Sequence, residues 1–157
     1  SLIELGGTNH APAGSDKSIR LNEDANYAFT PTDFGFSDPD DRPAENAFLA
    51  VKIAGLPAAG TLSLDGVAVG PDQCISVADL DAGKLVFSPA ANANGAGYAS
   101  LSFQVQDDGG YNDLDLTPNT LTFDVTPVND APTGAATAVL PDGTEDTAYV
   151  INVASLL

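Results

Sequence analysis

Tryptophan and methionine are absent from this 157-residue chain, and cysteine and histidine occur once each. The single cysteine, Cys74, excludes an internal disulfide and any cysteine-based metal site. The single histidine, His10, excludes the His cluster that zinc favours. Basic residues are scarce as well: Lys17, Arg20, Arg42, Lys52 and Lys84 face 22 acids, for a net charge of −17. So few and scattered cations cannot line a phosphate backbone, which argues against nucleic acid as a partner. No apolar run approaches the ~20 residues of a membrane-crossing helix, so no membrane insertion is expected. A Ser–His–Asp triad would have to recruit His10 from a junction-like segment, and no indole offers a sugar platform. The chain reads as a protein that is not an enzyme.

What is present is acid of one kind. Only Glu4, Glu23, Glu45 and Glu145 are glutamates, and every other acid is Asp. Asp favours turns and hard cations over helix or strand interiors. At 43% hydrophobic residues the chain still has the material for a core. An Asp-rich, lysine-poor, cysteine-poor composition points to an extracellular, calcium-containing medium.

The chain also repeats. Asn9-His10-Ala11-Pro12-Ala13-Gly14 returns as Asn129-Asp130-Ala131-Pro132-Thr133-Gly134, and Glu23-Asp24-Ala25-Asn26-Tyr27 returns as Glu145-Asp146-Thr147-Ala148-Tyr149. Two matches in one order mark a complete unit over residues 9–128. Residues 1–8 read as the tail of a preceding repeat or a cloning remnant, and 129–157 as a linker and the truncated start of the next repeat. Within the unit, Ala47–Ile53, Thr61–Leu64, Lys84–Phe87, Ala99–Gln106 and Leu121–Val125 carry strand patterns. Gly, Pro and Asn turns separate them, and one helical turn is expected near Pro31–Phe36. The fold class is all-β, a Greek-key β-sandwich. Cys74, beside Ile75, is expected to be a small buried side chain, and Asp113 and Asp115 a wet loop.

Four acidic clusters stand out: Ser37 to Asn46, Asp107-Asp108-Gly109-Gly110, Asn129-Asp130-Ala131-Pro132, and Glu23-Asp24. Oxygen-only donors of this kind suit Ca²⁺, which takes 6–8 oxygens. With Pro39 between them, Asp38 and Asp40 are expected to point the same way from an extended backbone. The competing reading of each cluster is a solvated turn in which Asp caps backbone amides.

Several of these segments resemble one family. Phe36-Ser37-Asp38-Pro39-Asp40 through Asn46-Ala47 is similar to the Asp-x-Asp…Asn-Ala segment of cadherin-type repeats. Phe103-Gln104-Val105-Gln106-Asp107-Asp108-Gly109 resembles their strand ending in Asp and Gly, and Val128-Asn129-Asp130-Ala131-Pro132 their linker. The stretch from Leu56-Pro57 through Leu85-Val86-Phe87-Ser88-Pro89 to Asn94-Gly95 resembles the bacterial, adhesin-type version. The resemblance implies a cadherin/immunoglobulin-like sandwich with Ca²⁺ at both ends. Asp38, Asp40, Asn46 and Asp107 would hold it at one pole, and Glu23, Asn129 and Asp130 at the other. Three departures are visible: His10 stands where the second linker has Asp130, Leu80-Asp81-Ala82-Gly83 lacks the Glu of the family's Leu-Asp-Arg-Glu motif, and the linker is one residue short with Pro127 where the family places an Asp.

The implied function is a calcium-stabilised stalk, spacer or cell-adhesion module of a large secreted adhesin on a bacterial surface, as in biofilm. Its partners would be neighbouring repeats of the same chain and a cell-surface glycan or protein. The alternative is a polysaccharide- or protein-binding sandwich with no calcium requirement, using Tyr27, Tyr98 or Tyr111.

Overall fold

The computed structural model describes residues 9–41 and 45–129. The chain divides into two compact units, Ser1–Pro127 and Val128–Leu157. The second contributes only Val128 and Asn129 to the described residues, so the first carries the account.

Among the described residues it has nine strands: β1 (Lys17–Asn22), β2 (Tyr27–Ala28), β3 (Phe48–Gly55), β4 (Thr61–Leu64), β5 (Val67–Ala68), β6 (Cys74–Ser76), β7 (Leu85–Ser88), β8 (Gly95–Asp107) and β9 (Asn119–Thr126). A five-stranded mixed sheet has the order β1-β9-β8-β3-β6, and a four-stranded antiparallel sheet the order β2-β7-β4-β5. The mixed character comes from β1, which runs parallel to β9, Ile19 opposite Phe123 and Leu21 opposite Val125. All five strands read from the sequence are present, with ends moved by a few residues. The sequence reading missed β1, whose inward Ile19 and Leu21 alternate with Lys17, Ser18, Arg20 and Asn22.

The sheets meet through an aromatic core. Phe87 of β7 stacks on Phe123 of β9 at 3.9 Å and 8° between rings, one side chain from each sheet. Phe29 packs edge-on to Phe123 and stacks with Phe34, which meets Phe103 edge-on at 5.0 Å. Such pairs add about 0.5–1.5 kcal/mol each beyond area burial. The sandwich needs no disulfide. Cys74 is exposed, contrary to expectation, because the alternation of edge strand β6 turns its neighbour Ile75 into the core instead.

Two short helical pieces accompany the strands among the described residues. Pro31–Phe34 forms the expected single turn, closed by Gly35 at φ 60°, a left-handed position where a side chain would strain the backbone. A helix α1 (Val77–Asp81) was not expected; the Ser76 hydroxyl accepts the Asp79 N–H, and Leu80 anchors it in the core. Among the described residues no helix is long and apolar enough to cross a membrane.

Candidate metal centre

Strand pairing assembles the acidic end. Strand β8 places Leu101, Phe103, Val105 and Asp107 on its inward face, so period-2 alternation delivers a carboxylate to the rim of the core. Asp107 lies opposite Phe48, two residues after Asn46. An isolated bridge between Ala13 and Ser37 ties the incoming segment to the start of the acidic loop, bringing Asn9 and His10 beside it.

At this end Asp38, Asp41 and Asp107 converge, 3%, 3% and 0% exposed. One oxygen from each lies within 4.8 Å of the others. Oxygens bound to one Ca²⁺ at about 2.4 Å stand no more than ~4.8 Å apart, so the three can share one ion.

The hydrogen bonds show which oxygens remain for it. Asp38 Oδ2 accepts the Asn46 backbone N–H at 3.2 Å. Asp107 Oδ1 accepts the Gly109 N–H at 2.7 Å and the Asn9 amide at 3.3 Å. Asp41 Oδ1 meets the His10 N–H at 2.6 Å and the ring Nδ1 at 2.9 Å, while its Oδ2 accepts from Asn46 Nδ2 at 2.9 Å. Asp38 Oδ1 and Asp107 Oδ2 are buried with no hydrogen-bond partner. A buried carboxylate oxygen left unpaired is expensive. Two of them beside a third carboxylate make a cradle for a hard cation.

The titration directions agree. Burial raises the Asp38 pKa above the usual carboxylate range, helped by the close approach of Asp41 and by repulsion from Asp41 and Asp107. Burial pushes Asp41 upward too, but the His10 N–H and ring and the Asp38 contact outweigh it and bring Asp41 below that range. At ~4 Å two carboxylates repel by about 1 kcal/mol in water and about 4 kcal/mol at an effective dielectric of 20.

The anticipated ligands divide. Asp38 and Asp107 are in the cradle, and the half-buried Asn46 touches it. Asp40 does not: it is exposed, and Asp41 takes its place. The cause is the turn at Pro39-Asp40, which brings residues i and i+3 together where an extended backbone would have aligned i and i+2. Asp108 accepts the Ala47 N–H at 3.0 Å instead of entering the cradle.

Glu23 follows β1 beside Thr126, at the end of the mixed sheet away from Asp107, where Asn94 Nδ2 donates to its Oε2 at 2.9 Å. Asn129 is exposed, and Asp130 lies outside the described residues. Asp115, expected in a wet loop, is buried and accepts the N–H groups of Gly14 and Thr117.

Asn9 was also missed, because its partners are about a hundred residues away in sequence. Its amide nitrogen donates to the carbonyls of Tyr111 and Asn112 as well as to Asp107, and its Oδ1 accepts from Asn46 Nδ2. Gly109 faces this amide so closely that a Cβ would collide with it. Of the tyrosines considered for ligand binding, Tyr27 bonds Asp33 and the Tyr98 hydroxyl accepts the Ala90 N–H. Tyr111 is 55% exposed, and its hydroxyl accepts the Asn9 N–H.

No protein-family model matches the chain, and a search of curated proteins finds no match. The cadherin-like resemblance rests on the quoted motifs alone.

Proposed function

We propose that this protein is a calcium-stabilised, cadherin/immunoglobulin-like repeat that serves without catalysis as a stalk, spacer or adhesion module of an extracellular bacterial protein. The observation carrying the proposal is the buried Asp38–Asp41–Asp107 cradle with its two unpartnered oxygens. It sits where Asn9 and His10 enter the fold, so an ion held there fixes the incoming chain to the sandwich. The topology supports the same reading. Consecutive β2 and β3 lie in different sheets, as do β7 and β8, while β2 pairs with β7 and β3 with β8, an interlocked Greek-key crossing. Calcium is favoured over magnesium because Mg²⁺ usually keeps several waters, and oxygens this buried leave little room for a hydrated ion. Neighbouring repeats are the partners this role requires, with a surface glycan or protein as the adhesive target.

Terbium luminescence tests the site. Tb³⁺ replaces Ca²⁺ at oxygen-rich sites, and Tyr111 lies beside the cradle as a sensitiser. Tyrosine-excited Tb³⁺ emission that micromolar Ca²⁺ displaces and equal Mg²⁺ does not is the expected result. Emission absent, or unaffected by Asp38→Asn, overturns the proposal.

A further inference from the structure

Two side-chain amides face the carboxylate cradle, and both turn their nitrogen toward it. Asn9 Nδ2 donates to Asp107 Oδ1, and Asn46 Nδ2 donates to Asp41 Oδ2. The amides are also joined, because Asn46 Nδ2 donates to Asn9 Oδ1. Around Asn9 Nδ2 stand three acceptors, Asp107 Oδ1, Tyr111 O and Asn112 O. An amide nitrogen has only two protons, so one acceptor exceeds what it can serve. Gly109 packs against the Asn9 amide so closely that a Cβ there would collide with it.

A cation calls for the opposite orientation. It attracts carbonyl oxygen and repels the N–H dipole. Rotating Asn9 alone by half a turn would set its nitrogen against the nitrogen of Asn46. Rotating Asn46 alone would set its oxygen against those of Asn9 and Asp41. Rotating both keeps their mutual bond, now from Asn9 Nδ2 to Asn46 Oδ1, and directs both oxygens toward the carboxylates; it also sets Asn9 Oδ1 beside the Tyr111 and Asn112 carbonyls, so oxygens face one another and a cation must hold them.

We propose that Asn9 and Asn46 form a paired amide switch. Nitrogen faces the carboxylates when protein donors alone offset their charge, and the two amides turn together to offer oxygen when a divalent cation binds. The inference rests on the calcium reading above and adds Asn9, a residue of the incoming chain, as a conditional ligand. It makes the hold on that chain depend on the ion without displacing a backbone segment.

The test is ¹⁵N NMR of the side-chain amides during a calcium titration of the wild-type protein, with calorimetry in parallel. The expected result is a joint shift of the Asn9 and Asn46 amide resonances, tracking the same saturation curve, with the Asn46 resonance losing its hydrogen-bonded downfield character while Asn9 keeps one donated bond. Asn46→Asp, which supplies a carboxylate oxygen without rotation, should tighten calcium binding about tenfold and leave Asn9 already turned before the ion arrives, so that its resonance no longer tracks the titration. Binding heat with both amide resonances unmoved overturns the switch and leaves the calcium site standing. Absence of binding heat overturns both.

Discussion

The molecule contains two buried aspartate sites that solve one problem in different ways. Asp33, 2% exposed, is neutralised from within: Lys17 Nζ lies 2.5 Å from Oδ1, the Tyr27 hydroxyl reaches both oxygens at 3.0 Å, and the Thr30 N–H bonds Oδ2 at 2.9 Å. Burial raises its pKa, but these partners outweigh burial and bring it below the usual carboxylate range. The Asp38–Asp41–Asp107 cradle has three carboxylates, only neutral amides and the His10 side chain as partners, and two oxygens with none. Among the described residues no Lys or Arg pairs with it. One site carries its own cation, and the other has the geometry to hold one. What separates the two sites is internal counter-charge: Lys17 supplies it to Asp33, whereas in the cradle only His10 stands beside Asp41.

Removing one carboxylate from each site separates them most sharply. Asp107→Asn should lower stability by about 3 kcal/mol in saturating calcium, since it removes a ligand and with it the ion's contribution. In EDTA the same variant should lie within about 1 kcal/mol of wild type, because the lost charge also relieves repulsion. Asp33→Asn should behave differently, losing about 2 kcal/mol equally with and without calcium, the worth of its charge-assisted bonds. Paired thermal melts check both, and a calcium-dependent loss in Asp33→Asn would break the comparison.

A substitution that leaves every acid in place comes next. Gly109→Ala pushes the Asn9 amide from Asp107 and should destabilise by about 1–2 kcal/mol. It should also weaken calcium binding, which calorimetry reads directly.

The smallest effects are in pH. The lowered Asp33 pKa makes its stabilisation fully present above the unfolded value of about 3.9 and lost as pH falls through the lower folded value. Denaturant titrations of Asp33→Asn should lack that part of the acid limb. Tyr27 shows the alkaline counterpart. Burial, then its bond to Asp33 and the charge there, push its pKa up to about 12, so its stabilisation holds below pH ~10 and disappears as pH rises to about 12. Tyr27→Phe should flatten that limb.

Much of this architecture was legible in the residues, and the gaps have physical causes. Alternation through Leu101, Phe103 and Val105 predicts that Asp107 faces inward, because a strand's period does not change at its last residue. Asp38 and Asn46 stood out by residue type in one acidic loop. Asp41 did not, because the choice between Asp40 and Asp41 depends on whether Pro39 sits in an extended run or at a turn corner, and both accept proline. Asn9 and the parallel pairing of β1 with β9 depend on residues about a hundred positions apart, which no local pattern encodes. Helix α1 carried a readable signal, Ser76 followed three residues on by Asp79, that the surrounding strand patterns obscured.

Calorimetric titration of the wild-type chain with Ca²⁺, paired with thermal melts in calcium and in EDTA, tests the central claim most directly. A hundredfold excess over Kd stabilises by about 2.7 kcal/mol, which for a domain of this size raises Tm by roughly 10 °C. Saturable binding heat with a rise of that order is the result expected of a cradle awaiting a cation. A flat titration and identical melting curves would contradict it.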